Sequence, residues 1–223
     1  MPTKNEELHI SASFDDKVVL RALSRDELEG EYALLRFVIL HDELGWASSN
    51  LLEAQGLIDA YDSHSLPCGV FHGRDLVGAF RVVVGESVAS LPSGSAIEGL
   101  GMMSGRCAEL SRGMVKKDYR QCGVFTALIA ACVHLARAGE MDRIFATIVD
   151  SRMGRELFQR ENFVPVGHPF NHSDGVITVA RPTILLSSEF DGKAFDEKES
   201  LARLTSLLEN AAVRIGRRHP RPA

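Results

Sequence analysis

Cysteine and long apolar runs are both scarce in this sequence, and each scarcity excludes a class of protein. The four cysteines show no C-x-x-C spacing, so neither a zinc site nor a disulfide framework is indicated, and a reduced, cytosolic compartment fits best. No apolar run approaches the roughly 20 residues needed to span a bilayer. The N-terminal sequence is also too polar for a secretory signal.

Positive charge is not in excess either. The formal net charge is −5 at pH 7, which argues against a general nucleic-acid binder, because such proteins are usually basic. What the sequence does contain is enough apolar material for one substantial core, with 223 residues that are 45% hydrophobic. One α/β domain is therefore the simplest expectation.

The stretch from Cys107 to Leu128 carries the strongest chemical signal. It starts as a strand in which Glu109 and Ser111 share one face while Leu110 and Arg112 take the other. The strand is predicted to end at 116–118. Apolar residues then recur at helical spacing from Val124, and the helix ends at Gly139, which fits a C-cap.

A strand, a short turn that contains glycine and the start of a helix together form a site that can bind an anion. The first N–H groups of a helix have no partner within it, and the helix dipole adds positive potential there. Glu109 on the strand would lie beside this site. The combination suggests a pantetheine thioester with a general base next to it.

Two motifs in this stretch resemble known acyltransferases. The run from Val115 to Gly123 contains Arg120-x-x-Gly123 and resembles the acyl-carrier loop of the GNAT superfamily of N-acyltransferases, with Phe125 where a second small residue is usual. The preceding E-x-S-R, from Glu109 to Arg112, resembles the acyl-homoserine-lactone synthases and the related N-acyl amino acid synthases.

The first half of the chain resembles the N-terminal signature of the acyl-homoserine-lactone synthases. Its elements are Arg36, Trp46, Asp59 and Asp62, with Leu40 at the family's phenylalanine position. Taken singly, each has an ordinary interpretation as a packing, surface or turn residue. Their joint appearance in order favours the resemblance.

Arg81 lies within an apolar strand, where the family also has an arginine. A buried arginine is costly unless a carboxylate pairs with it. Asp62 or Glu109 is the partner that we expect for Arg81.

The resemblance implies a mixed, splayed central sheet flanked by helices, in a GNAT-like α/β (α+β) single domain over residues 17–190. A loose lead-in (1–16), an amphipathic helix (191–216) and a basic disordered tail (217–223) complete the chain. Glu109 would be the general base, and no metal is needed. The amine-donor pocket and its ion-pair frame would comprise Arg36, Trp46, Asp59, Asp62, Arg81, Ser111, Arg112 and Thr147. The acyl carrier would be held by Met114, Val115, Arg120, Gly123 and Val124.

Several identities stay open at this point. The acyl donor is acyl-CoA or acyl-carrier protein. The amine donor is S-adenosylmethionine, as in autoinducer synthesis for quorum sensing, or a free amino acid. The alternatives are a small-molecule N-acetyltransferase using acetyl-CoA, and a non-catalytic GNAT-like domain that binds or senses an acyl carrier.

Further expectations concern local structure. Ser24 and Glu27 should form a capping box at the start of a helix that ends near Trp46. Residues 47–64 indicate a long functional loop or a broken helix, and residues 85–105 a loop. A last strand is expected over 176–186, and an amphipathic helix over 196–216. Gly167-His168-Pro169 resembles a turn of the autoinducer synthases.

Overall fold

The computed structural model describes residues 10–11, 18–47, 58–94, 104–173, 176–190 and 196–218. Most of the predicted lead-in, the centre of each predicted loop and the end of the basic tail lie outside these ranges. Within the described residues, no helix combines the length and the apolar character needed to cross a membrane.

An eight-stranded mixed sheet organises the chain, in the order β1-β2-β3-β4-β5-β6-β8-β7. All neighbouring strands are antiparallel except β5 and β6, which are parallel. The strands are β1 Ile10–Ser11, β2 Val18–Ala22, β3 Ser65–His72, β4 Asp75–Ser87, β5 Ser104–Val115, β6 Arg143–Val149, β7 Val164–Phe170 and β8 Thr183–Glu189.

Helices cover both faces of this sheet. The first helix runs through four consecutive segments with α- and π-helical turns: α1 Arg25–Glu27, Leu28–Tyr32, α2 Ala33–Arg36 and Phe37–Glu43. Three longer α-helices follow, α3 Val124–Ala138, α4 Arg152–Gln159 and α5 Glu197–Arg218. Short 3₁₀ turns cover Ala60–His64, Val88–Ser90 and Lys117–Tyr119.

Three apolar clusters are present in the described part of the chain, and two of them lie on opposite faces of the sheet. The larger one joins the sheet to α3, α4 and α5, and it includes Leu110, Leu128 and Leu208. The second joins the opposite face to the first helix and includes Leu35 and Ile39. Because side chains alternate along a strand, one strand such as β5 serves both cores.

The sheet opens between its two parallel strands. The β5–β6 pairing extends only from Cys107 to Leu110, opposite 143–146. Beyond these residues β5 continues to Val115 and β6 to Val149 as they diverge. The divergence leaves a gap in the middle of the sheet, which is the splay that the resemblance implies.

Local sequence explains where the helices begin and end. Ser24 accepts a hydrogen bond from the N–H of Glu27, and the Glu27 side chain accepts one from the N–H of Ser24, so the predicted capping box is present. Gly123 precedes α3 with φ +95°, a left-handed conformation that side chains rarely adopt, and Gly139 follows its last residue.

Three boundary predictions were wrong. Residues 85–87 belong to β4 and 104–105 to β5, so the described part of the predicted 85–105 loop is shorter. The last strand is Thr183–Glu189, because residues 177–178 form only isolated bridges. Gly167-His168-Pro169 lies within β7 at a register shift, with Gly167 at φ +71°.

Candidate active site

Five charged residues predicted for the donor pocket form one buried network, which we call the ion-pair cluster: Arg36, Asp59, Asp62, Arg81 and Arg112. Arg36 donates to both carboxylate oxygens of Asp62 at 2.6 Å each. Arg81 donates to both oxygens of Asp59 at 2.5 and 2.9 Å and to Asp62 at 2.8 Å. Arg112 donates to Asp59 at 2.9 Å.

The cluster is almost fully removed from water. The side chains of Arg36 and Arg81 are 0% exposed, and that of Asp62 is 2% exposed. Burial alone would raise the pKa of Asp62, but the hydrogen bonds and charges of Arg36 and the charge of Arg81 lower it to about 2. Since three arginines face two aspartates, the cluster holds one positive charge in excess.

Secondary structure positions the two aspartates. Asp59 caps the 3₁₀ turn Ala60–His64, and its carboxylate accepts from the N–H of Tyr61 at 3.0 Å. Asp62 accepts from the N–H of Asp59 at 2.8 Å, which completes a capping box. The turn therefore holds both carboxylates towards the arginines from the first helix, β4 and β5.

A β-bulge brings Arg112 into the cluster. Ala79 and Arg81 of β4 pair with Met114 and Ser111 of β5, so β5 has one extra residue, and Arg112 has φ +55°. Arg81 also donates from Nε to the Ser111 hydroxyl at 3.3 Å. The prediction that Ser111 and Arg112 lie on opposite faces was therefore wrong, because the bulge interrupts strict alternation.

Glu109 is a buried carboxyl group beside this network, 2% exposed. It accepts hydrogen bonds from the N–H of Ser93 at 2.9 Å and from its hydroxyl at 2.7 Å, and that hydroxyl also contacts the Thr147 hydroxyl. Burial raises the pKa of Glu109, and the bonds from Ser93 and the nearby His172 and Arg81 oppose the rise only in part. Of the two partners considered for Arg81, Asp62 is the one that pairs with it, and Glu109 accepts its hydrogen bonds from Ser93 instead.

A cavity of about 210 Å³ occupies the gap between β5 and β6. Phe80, Phe125 and Phe158 line it from the α3 side of the sheet, and Trp46 and Val179 from the first-helix side. Its polar wall consists of Glu109, Ser111, Arg112, Thr147 and His172. The cavity thus joins the two faces of the sheet, with a carboxyl group where they meet.

The residues predicted to hold the acyl carrier lie together where β5 ends and α3 begins: Met114, Val115, Arg120, Gly123 and Val124. The β5 wall of the cavity is formed by residues 109–113, so Met114 and Val115 lie just past it. Arg120 donates to the Val115 carbonyl at 3.0 Å and to Glu43 at 2.5 Å, and Arg218 donates to the Arg120 carbonyl at 3.0 Å.

At Gly123 and Val124, where α3 starts, only backbone groups can bind an incoming anion. The Val124 side chain is 0% exposed within the larger core. A Cβ on Gly123 would lie 3.7 Å from the Ala211 Cβ of α5. The N–H groups of the first turn of α3 therefore stand beside a glycine and Arg120, which is the arrangement that binds phosphate at helix termini.

Sequence reasoning missed three contributors to the site. Tyr32 lies one helical turn before Arg36, places its ring 4.1 Å from the Arg36 Cζ, and donates to the Arg112 carbonyl at 3.2 Å. The four-residue spacing from Arg36 could have indicated it. Ser93 and His172 lie in segments without periodicity, so only the fold brings them to Glu109.

Comparison with known proteins finds a family that part of the chain resembles. Residues 35–130 match the family model of the acetyltransferase (GNAT) domain. The match covers less than half of the chain, and it bears out the predicted resemblance to the GNAT superfamily and the prediction of an N-acyltransferase. The comparison with curated proteins found no match.

Solved structures share the fold at low sequence identity. FeeM, an N-acyl amino acid synthase from uncultured soil microbes, is 16% identical, with 78% of this chain and 91% of that chain covered and a TM-score of 0.56. BjaI, a CoA-dependent acyl-homoserine lactone synthase solved with SAM and isopentyl-CoA, is 20% identical, with 89% and 99% covered and a TM-score of 0.52. A ribosomal-protein-alanine N-acetyltransferase from Brucella melitensis is 15% identical, with 77% and 99% covered and a TM-score of 0.52.

Proposed function

We propose that the protein transfers an acyl group from a pantetheine thioester, on CoA or on acyl-carrier protein, to the α-amino group of an amino-acid-like donor. The donor is S-adenosylmethionine or a free amino acid, and the free amino acid gives an N-acyl amino acid. With S-adenosylmethionine, the carboxylate of the acylated donor then attacks its γ-carbon, the carbon–sulfonium bond breaks, methylthioadenosine leaves and an acyl-homoserine lactone results. One observation carries the proposal: Glu109, whose pKa is raised by burial, lies on the wall of a cavity beside a buried cluster with excess positive charge.

The chemistry assigns Glu109 the role of general base. An α-amino group is largely protonated near neutral pH and must lose a proton to attack the thioester carbonyl. A bond from nitrogen to the acyl carbon forms and the carbon–sulfur bond breaks. Of the two protons that the ammonium group loses, one passes through Glu109 to water and the other restores the thiol of the carrier.

The raised pKa suits this role. A carboxyl group with its ordinary pKa is a weak base at neutral pH, whereas one whose pKa lies closer to the working pH accepts a proton more readily. Ser93 and Thr147 hold the group in place. Glu109 therefore combines basicity with a defined position.

The charge of the cluster favours a donor that carries a carboxylate. Arg112 belongs to the cluster and also lines the cavity, so the excess positive charge is close to any bound donor. FeeM is an N-acyl amino acid synthase and BjaI was solved with SAM, and amino acids and SAM both carry an α-amino group beside a carboxylate. This shared group is the donor chemistry that we propose for the present protein.

Acetyl transfer from acetyl-CoA is a second candidate. The cavity of about 210 Å³ is small, and the family model that matches residues 35–130 describes acetyltransferases. The two candidates differ in the acyl group and in the amine that they accept, so one assay can separate them.

The test combines purified protein with a matrix of acyl thioesters and amines. Acetyl, butanoyl, octanoyl and dodecanoyl groups are presented on CoA and on acyl-carrier protein, with SAM or a mixture of the twenty amino acids, and products are identified by mass spectrometry. An acyl-homoserine lactone or an N-acyl amino acid that is not formed by Glu109→Gln supports the proposal. Acetylation of other amines alone supports the second candidate, and no product from any combination overturns both.

A further inference from the structure

Three phenylalanines close the α3 side of the cavity. Phe125 is the second residue of α3, and its ring centroid lies 6.0 Å from that of Phe80 and 6.4 Å from that of Phe158. All three line the cavity, and of the three only Phe125 is half-buried rather than buried. Phe125 is therefore the aromatic side chain that stands between the start of α3 and the interior of the cavity.

Phe80 and Phe158, unlike Phe125, are held from behind. A Cβ at Gly113 of β5 would lie 2.6 Å from the Phe80 Cε2, so the glycine lets the Phe80 ring lie against the strand. Phe158 packs edge-to-face against the buried Phe163 at 5.2 Å. Neither ring can move away without disturbing the larger core. The depth of the cavity on this side thus depends on the side chain at position 125.

The cavity, of about 210 Å³, must hold the thioester carbonyl and the attacking amine as well as the acyl chain. The hydrocarbon chain therefore has only the remaining space, and Phe125 bounds that space at the start of α3.

We infer that Phe125 is a specificity-determining residue that restricts the acyl group to short chains, by closing the cavity at the start of α3. This inference rests on the proposed function, because it assumes that the acyl group enters the cavity between β5 and β6. To the proposed function, the inference adds the length of the acyl chain and the side chain that limits this length. A smaller residue at position 125 would open the cavity towards α3 and admit longer chains.

The test compares Phe125→Ala and Phe125→Trp with the unaltered protein. Dissociation constants are measured calorimetrically for butanoyl and dodecanoyl thioesters of CoA and of acyl-carrier protein, and kcat/KM is measured with whichever amine is accepted. We expect the dodecanoyl-to-butanoyl preference to rise by about tenfold or more in Phe125→Ala, because each methylene admitted to an apolar pocket is worth at least about that factor. Phe125→Trp should lower it.

Phe163→Leu provides the matched control. Phe163 belongs to the same aromatic group and to the core, but it does not line the cavity, so its replacement should lower the melting temperature without changing the chain-length preference. Phe125→Leu, a milder truncation, replaces Phe125→Ala if the latter does not fold. Binding with the same preference in all folded variants would overturn the assignment of Phe125. No binding of any thioester to the unaltered protein would overturn the proposed function itself.

Discussion

Glu109 combines two properties that separate easily in an experiment. Its raised pKa comes from burial, and its position comes from hydrogen bonds with Ser93. Glutamine keeps the shape and can still accept hydrogen bonds, but it cannot take a proton. We expect Glu109→Gln to slow acyl transfer by roughly 10²–10⁴-fold with little change in thioester affinity. Steady-state kinetics combined with calorimetric binding would measure both, and transfer within a factor of a few of the unaltered protein would remove Glu109 from the mechanism.

The same substitution should slow acyl transfer but leave the folded protein equally or more stable at high pH. A carboxyl group whose pKa is raised in the folded state contributes stability that is fully present below its unfolded pKa and is lost as the pH rises through the folded pKa. Glutamine does not titrate. The melting temperature of Glu109→Gln should therefore equal or exceed that of the unaltered protein at pH 8, and the difference should shrink towards pH 4. A large loss of stability at pH 8 would instead indicate that the charge of Glu109 has a structural role.

At the scale of elements, the ion-pair cluster joins the first helix, the 3₁₀ turn, β4 and β5. Removing one partner from such a cluster leaves a buried charge without its counter-ion, which costs about 3–5 kcal/mol. We predict that Arg81→Ala destabilises the fold by this amount, or inactivates the enzyme if the fold survives. Because Arg81 donates directly to Asp62 at 2.8 Å, the effect of Asp62→Ala should not add to it.

Arg25→Ala provides the control for that double-mutant cycle. Arg25 pairs with Glu29 at 2.8 Å on the surface, and its side chain is 86% exposed. Its replacement should cost about 1 kcal/mol or less. Urea unfolding of all the variants gives the comparison. Small, additive losses for Arg81 and Asp62 would show that the cluster does not act as one unit.

The start of α3 depends on one backbone conformation. Gly123 has φ +95°, so alanine at this position should cost about 1–2 kcal/mol from backbone strain alone. Gly30 offers the contrast, because it lies within the first helix and a Cβ there would meet nothing within 4 Å. Gly30→Ala should raise stability by about 0.5–1 kcal/mol. Equal effects of the two substitutions on the melting temperature would contradict this explanation of Gly123.

At the scale of the whole molecule, α5 belongs to the same core as the sheet, although it lies beyond the part of the chain where the resemblance applies. Leu204, Leu208 and Ile215 are buried against that core, and Arg203 donates to both carboxylate oxygens of Glu161 at 2.6 and 2.9 Å. The helix also contacts the start of α3 through Ala211. Its packing thus supports the segment on which acyl-carrier binding is expected to depend.

This packing can be measured on α5 itself. Leu208 is 0% exposed, so Leu208→Ala should cost about 2–5 kcal/mol, as deletions from a core usually do. Val213 is 45% exposed on the same helix, and Val213→Ala should change stability by about 0.5 kcal/mol or less. Thermal unfolding of both variants checks the prediction. Similar small losses would mean that α5 packs only loosely on the core.

Much of this protein can be predicted from local sequence, because the relevant interactions are short in range. The strand through Glu109, the end of that strand at Val115 and the helix from Val124 to Ala138 follow from alternation, helical periodicity and glycine, and the structure has all three. The capping box of Ser24 is equally local. The pairing of Arg81 with Asp62 could be proposed because a buried arginine requires a carboxylate, and the family resemblance made Asp62 one of two candidates.

Only the tertiary structure decided how these parts meet. The partners of Glu109 lie 16 and more positions away, in segments without a periodic pattern, so Ser93 and His172 could not be assigned to it as neighbours from the sequence. The bulge at Arg112 depends on the register between β4 and β5, which is set by packing along the whole strand pair and not by the local residues. The cavity exists because β5 and β6 diverge after Leu110, a property of the whole sheet with helices packed on both faces. Short-range physics therefore determined the elements and the residue types of the site, whereas long-range packing determined the geometry that gives those residues their chemistry.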